Sequence, residues 1–332
     1  MVQQTQLGVS WVGCGSAHPA MVLSNTDLSQ VVDTSDEWIT TRTGIQQRYL
    51  AQGGESLSAL AAQAGQAALE MAQVDATGVD LIILATSTPD DLFGSASQVQ
   101  AALGASQAVA FDLTAACSGF VFALVTASQF IRTGAYRTVL VIGADMLSRW
   151  VDWTDRRTCI LFGDGAGAVV LQASDRDRLL GFEMRSDGTM NDCLTLAYGS
   201  EPQTLMADKT VQQGTFQPIT MNGKEVYRFA VKRVPEVIEK ALFRGGLTAG
   251  DIDWLVLHQA NQRILDAVAD RMGIPSERVI SNMARYGNTS AASIPIALDE
   301  AVRSGRIKAG DVIASSGFGA GLTWGAAIFE WG

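Results

Sequence analysis

An α/β fold built from two similar halves is what this sequence predicts, and three features predict it. Short runs of uninterrupted apolar residues alternate with segments of helical periodicity, the pattern of buried strands and their connecting helices. The same order of elements then occurs twice along the chain, the mark of an internal duplication. Finally, 332 residues, 47% hydrophobic and only 17% charged, suffice for two domain-sized cores.

In chain order, Ser56–Ala72 carries the first helical pattern, and Asp80-Leu-Ile-Ile-Leu-Ala-Thr-Ser follows as an apolar strand behind an acidic residue. Ala110–Leu113 is a second strand, giving way to Thr114-Ala-Ala-Cys-Ser-Gly and a helix over Phe120–Thr133. Thr138-Val-Leu-Val-Ile-Gly-Ala and Gly167-Ala-Val-Val-Leu complete the set. Beyond a helical pattern over Val226–Leu242, Asp253-Trp-Leu-Val-Leu-His-Gln-Ala echoes the first strand, and a helix over Asn261–Met272 follows it. Val279-Ile-Ser-Asn-Met-Ala-Arg-Tyr-Gly-Asn-Thr-Ser echoes the strand that runs into a small-residue turn. Asp311-Val-Ile-Ala-Ser-Ser-Gly and Gly325-Ala-Ala-Ile-Phe echo the last two strands. These echoes divide the chain into halves 1–174 and 175–332. Apolar strands separated by helices imply buried, largely parallel sheets. Two stacked sheets with helices between and outside them accommodate both halves.

Composition excludes several classes. With 24 basic and 34 acidic residues the formal charge is −10, and no long basic run offers a nucleic-acid surface. The N-terminal stretch lacks a basic segment leading into an apolar one, so no secretory signal is read there. Cys14, Cys117, Cys159 and Cys193 are far apart and form no CxxC pair. That favours a reducing cytoplasm over a disulfide or zinc framework. Leu113–Ile131 carries no charge, yet its Thr, Ser and Gln residues mark a buried helix rather than a membrane span. No metal-binding motif occurs.

Cys117 sits between a strand and a helix, where the helix dipole and free N–H groups stabilise a thiolate. Its small neighbours let a carbonyl approach the backbone amide, as an oxyanion hole requires. Imidazole chemistry falls to one of two histidines. His18, in a loop before proline, reads as a turn residue. His258 ends an apolar strand, at the sheet edge where α/β proteins place ligands. Asn288 lies in the turn that echoes the Cys117 turn, so the duplication sets it opposite the nucleophile. Gly163-Asp-Gly-Ala-Gly-Ala precedes a strand and is not a dinucleotide loop. Gly317-Phe-Gly-Ala-Gly-Leu-Thr-Trp-Gly lacks a Walker ending and suits close backbone approach to a substrate.

Asp36-Glu-Trp-Ile-Thr-Thr-Arg-Thr-Gly-Ile, Ala115-Ala-Cys-Ser-Gly-Phe, Leu257-His-Gln-Ala-Asn, Arg285-Tyr-Gly-Asn-Thr-Ser-Ala-Ala and the C-terminal glycine loop occur in that order. Together they resemble β-ketoacyl-acyl carrier protein synthase III, the condensing enzyme that starts fatty acid synthesis. The resemblance implies a thiolase-like αβαβα sandwich with Cys117, His258 and Asn288 as the catalytic set. It implies acylation of Cys117 by an acyl-coenzyme A, usually acetyl-coenzyme A, then decarboxylative condensation with malonyl-acyl carrier protein, with no cofactor. The oxyanion amides are those of Cys117 and Ala320. Trp38, Arg42, Arg156 and Asn261 hold coenzyme A. Arg228, Lys232 and Arg263 dock the carrier protein, and Leu92 with Phe93 bounds the acyl pocket. Lys224 and Ala320 depart from the expected pattern. A cytoplasmic homodimer, with no membrane or nucleic-acid partner, completes the expectation.

A thiolase needs a second cysteine in the glycine loop, and none follows Cys193. A plant-type polyketide synthase, extending with malonyl-coenzyme A, shares the Cys–His–Asn set. A silent condensing-fold subunit does not need it.

Overall fold

In the computed structural model, which describes residues 7–332, the apolar runs are strands, most of them covered on both faces. Residues 1–6, on which part of the secretory-signal reading rests, lie outside the described residues. One five-stranded sheet is built from Gly8–Ala17 (β1), Leu81–Ala85 (β2), Val109–Leu113 (β3), Thr138–Met146 (β4) and Asp164–Ser174 (β5). Its order is β1-β5-β4-β2-β3. Every residue of β2 and β4 is buried, which is why neither strand alternates in polarity.

Leu179–Ser186 (β6) begins the second sheet, and an exposed hairpin, Tyr198–Met206 (β7) and Lys209–Phe216 (β8), projects after it. Trp254–Leu257 (β9), Val312–Gly319 (β10) and Thr323–Glu330 (β11) complete the sheet in the order β9-β10-β11-β6. The four strands of the second sheet repeat four of the five strands of the first. β1 and β6 are antiparallel to β5 and β11, these are antiparallel to β4 and β10, and β2 and β9 join in parallel.

Two expectations are corrected. The sheets are mixed rather than largely parallel, because β10 and β11 are joined by a short turn and no α-helix separates β4 from β5. A parallel return needs a long, usually helical crossover; the β10–β11 turn is too short for one, and the β4–β5 connection holds only a 3-10 turn, Leu147–Trp150. Val279 is not a strand either. It forms a single parallel bridge to Leu255, at the position where β3 pairs with β2, and the chain then turns away.

The helices complete five layers. Asp36–Thr43 (α1) lies near the surface, and Leu57–Ala72 (α2) with Ala96–Leu103 (α3) covers the outer face of the first sheet. Gly119–Arg132 (α4) and Ser293–Arg303 (α7) contact strands of both sheets and fill the space between them. Gly223–Gly245 (α5) packs on the second sheet, with Gln262–Met272 (α6) beside it. The side chains of Ser56, Asn222 and Asn261 accept backbone N–H groups in the first turns of α2, α5 and α6. The uncharged stretch is thus mostly α4, buried between sheets, and no described helix is long and apolar enough to cross a membrane. The carboxyl ends of β3 and β9 open toward one place, which positions the site.

Candidate active site

Cys117, His258 and Asn288 line one cavity of about 620 Å³. After β3 the chain makes a 3-10 turn, Ala116–Ser118, and enters α4. Ala116 holds a φ of 47° there, an uncommon conformation for a residue with a Cβ. Two glycines of β10 make the turn possible. A Cβ on Gly319 would stand 2.5 Å from the Cys117 nitrogen, and one on Gly317 would stand 3.0 Å from its carbonyl oxygen. The glycine loop therefore makes its close approach to the backbone of the nucleophile itself. Neither the Cys117 nor the Ala320 amide donates to a turn or loop carbonyl among the described residues; Cys117 lines the cavity and Ala320 does not.

His258 follows β9, its backbone N–H donating to the Ser316 carbonyl at 2.9 Å. The ring is buried edge-on to Phe318, and Nδ1 lies 2.7 Å from the Ser293 hydroxyl. Burial pushes its pKa down to about 3, so the imidazole is neutral. Asn288 is clamped by its backbone, donating to the Leu161 carbonyl at 2.9 Å and accepting from Gly163 at 3.0 Å. Its side-chain Oδ1 accepts the Ser290 N–H at 2.9 Å, which leaves Nδ2 as a donor toward the cavity.

Two sequence expectations change here. Burial pushes the Cys117 thiol up to about 12, opposed by the Ser290 hydroxyl and assisted by the charge of Asp145, so the resting nucleophile is a thiol. Desolvation outweighs the helix terminus. The second change concerns Asn288. The two equivalent turns are Ala116–Ser118 and Ser290–Ala292, each opening the helix between the sheets, so Cys117 corresponds to Ala291 and Asn288 to Thr114. Asn288 reaches the cavity from three residues before the equivalent position.

Ser290 is the functional residue that sequence reasoning missed. It adopts φ 51°, as its counterpart Ala116 adopts 47°, and its hydroxyl donates to Cys117 Sγ at 3.3 Å. The duplication marks the turn that holds Ser290, but nothing in the sequence singles out its hydroxyl. Asp145, fully buried at the end of β4, accepts from the Ser87 and Ala291 amides and the Thr86 and Thr88 hydroxyls. It ties the turn of the second half to the strand ends of the first.

Arg42, Arg157, Lys224, Arg228 and Arg263 also line this cavity, and no carboxylate does. Arg157 pairs with Asp155 and Arg228 with Glu225. Trp38 lies just outside, with the Arg42 and Arg156 guanidinium carbons 4.7 and 5.3 Å from its ring centroid. Asn261 lines the cavity and donates to the Arg42 carbonyl at 3.1 Å. Lys232 is exposed and does not line it. Leu92 and Phe93 are a correction, since within the chain neither reaches the Cys117 cavity. They are 81% and 102% exposed and border a separate cavity of about 630 Å³ with Asp112, Thr114 and Phe216. Their loop lies outside the strand ends that surround Cys117. His18 stacks on Tyr49 and contacts the Pro19 carbonyl, as a turn residue does.

Family models described as 3-oxoacyl-[acyl-carrier-protein] synthase III match residues 111–188 and, for its C-terminal part, 242–331. A β-ketoacyl-[acyl-carrier-protein] synthase III of Synechococcus elongatus is 71% identical over 98% of both chains. Another, from Acaryochloris marina, is 68% identical over 99% of both. The crystal structure of the Aquifex aeolicus 3-oxoacyl-[acyl-carrier-protein] synthase III superposes with a TM-score of 0.90 at 44% identity, covering 98% of this chain and 100% of that one.

Proposed function

Because the chain belongs to the β-ketoacyl-[acyl-carrier-protein] synthase III family, it is an acyl-transferring condensing enzyme, and we propose that Cys117, His258 and Asn288 divide its reaction between them. That reaction joins an acyl-coenzyme A primer to malonyl-acyl carrier protein with loss of CO₂, the initiating condensation of fatty acid synthesis. The convergence of these three side chains on one cavity carries the assignment.

Cys117 attacks the primer thioester, and the Cys117 and Ala320 amides receive the developing oxyanion. Coenzyme A leaves and the acyl group stays on sulfur. Malonyl-acyl carrier protein then enters the same cavity. As the C–CO₂ bond breaks, Asn288 Nδ2 and His258 hydrogen-bond the thioester oxygen on which enolate charge collects. The enolate carbon attacks the acyl-cysteine and expels the Cys117 thiolate. Loss of CO₂ drives the condensation, so no resident cofactor is needed. Arg42 and Asn261 in the cavity wall and Trp38 and Arg156 just outside it hold coenzyme A, while Arg228, Lys232 and Arg263 receive the carrier. We read the protein as a cytoplasmic homodimer, and the exposed Leu92 and Phe93 suit burial against a second copy.

Intact-mass measurement after incubation with acetyl-coenzyme A tests the division of roles. Wild type should gain one acetyl group and Cys117→Ala none. His258→Ala and Asn288→Ala should still gain it yet decarboxylate malonyl-acyl carrier protein at least about 100-fold more slowly. An acetyl adduct on Cys117→Ala would refute the assignment.

A further inference from the structure

Ser293 decides what His258 can do, because a hydroxyl carries one hydrogen and this one is committed. Ser293 Oγ lies 2.8 Å from the Ser290 carbonyl oxygen, a contact that only the hydroxyl hydrogen can make. Toward His258 Nδ1, at 2.7 Å, Ser293 is therefore the acceptor, and the ring nitrogen must be the donor. The Gln259 amide, 3.3 Å from the same oxygen, adds a second donor and strengthens that polarity. Ser293 and His258 are both buried, so water does not loosen the arrangement.

We propose that Ser293 is a positioning residue that locks neutral His258 in its Nδ1–H tautomer, so that Nε2 presents a lone pair to the cavity. The ring's hydrogen bond among the described residues is made at Nδ1, and His258 lines the cavity. Asn288, oriented by the Ser290 amide, faces the same cavity as a donor. The two side chains are thus opposite in polarity in the resting enzyme, although enolate stabilisation asks both to donate.

The inference rests on the roles proposed above and assigns His258 a proton at each stage. During acylation the Cys117 S–H bond breaks as Nε2–H forms, while sulfur attacks the primer carbonyl. The departing coenzyme A thiolate takes that proton, and His258 returns to the locked tautomer. The second stage consumes a proton, because CO₂ leaves and condensation expels Cys117 as thiolate. The enolate charge beside Nε2 draws this proton onto His258 from a solvent acid, hydronium or buffer, which is left as water or buffer base. His258 donates it in a hydrogen bond to the enolate oxygen and delivers it to the thiolate.

The tautomer can be read without turnover. The chain has two histidines, so long-range ¹H–¹⁵N spectra of ¹⁵N-histidine-labelled protein show two imidazoles, and His18→Gln assigns them. In the ligand-free enzyme His258 should show a protonated, pyrrole-like Nδ1 and a pyridine-like Nε2. Ser293→Ala should move both resonances toward the other tautomer and slow acetyl transfer to Cys117 about 10- to 100-fold. Ser293→Thr, which keeps the hydroxyl, should restore both. An Nε2–H tautomer in wild type, or an unchanged tautomer in Ser293→Ala, overturns the proposal whatever the activity of the enzyme. Should Ser293→Ala fail to fold, the wild-type spectrum still decides.

Discussion

At the scale of single residues, the site keeps its reactive groups neutral until substrate arrives. Cys117 is a thiol because burial removes the water that stabilises a thiolate, and His258 is an uncharged imidazole for the corresponding reason. This leaves a thermodynamic trace. The His258 pKa falls from an ordinary 6.5 to about 3 on folding, so between those values the unfolded chain binds the extra proton. Stability should then rise with pH across that window, by up to about 1.4 kcal/mol per pH unit from this group, and be fully present above it. Urea unfolding of wild type and His258→Gln from neutral pH to pH 4 isolates the contribution, since the remaining titrating groups are common to both. The wild-type midpoint should fall more steeply on acidification. Parallel slopes would mean that His258 is solvated or paired in the native state.

At the scale of elements, the strands most legible in the sequence are those whose burial is complete. Every residue of β2 and β4 is buried, and their uninterrupted apolar character gave them away, while α4 showed as an uncharged run with one partly exposed face. Val279 was misread because two apolar residues at a sheet edge look like the start of a strand, whereas pairing there ends after one bridge. Cys117 and His258 were legible as strand-end residues in a duplicated pattern. Ser290 and Ser293 were not, since a hydroxyl has no diagnostic spacing and matters here through the atoms it touches. Leu92 and Phe93 border, within the chain, a cavity other than that of Cys117, a separation that sequence does not show. The contact between β10 and the nucleophile turn is likewise invisible in sequence and strict in structure. Gly319→Ala places a Cβ 2.5 Å from the Cys117 nitrogen and 2.9 Å from the Ala116 Cβ, so the turn or the strand must shift. Overpacking of this kind costs about 1–3 kcal/mol. Acetyl transfer to Cys117 should slow at least about tenfold in Gly319→Ala, since the displaced amide is an oxyanion donor. Gly317→Ala, with its nearest contact at 3.0 Å, should lose less. Equal rates in both variants and wild type would show that the turn absorbs the added methyl without moving the amide.

At the scale of the whole molecule, a chain of net charge −10 surrounds its cavity with five cations and no carboxylate. Coenzyme A is anionic and the carrier protein acidic, so the global charge repels both ligands while the cavity mouth reverses the sign. Between Lys224 and Arg244 there are six basic and three acidic residues, and Lys224, Arg228 and Lys232 recur at intervals of four along α5. Arg263, at the start of α6, stacks its guanidinium 5.6 Å from the Tyr227 ring centroid and brings the second helix to the same mouth. The Glu225 partner of Arg228 subtracts little, because an exposed pair of this kind is worth about 0–1 kcal/mol and gives way to a stronger anion. Reversing both arginines tests whether this face receives the carrier. Arg228→Glu with Arg263→Glu should raise the KM for malonyl-acyl carrier protein at least about tenfold, as two adjacent charge reversals at an electrostatic interface require. Acetyl transfer from coenzyme A should suffer less, because Arg42, Arg156 and Trp38 still hold that ligand. In wild type the carrier KM should climb with ionic strength, and in the double variant that dependence should flatten, since the screened attraction has been removed. A carrier KM that is unchanged and equally salt-sensitive in the variant would move the docking face away from α5 and α6.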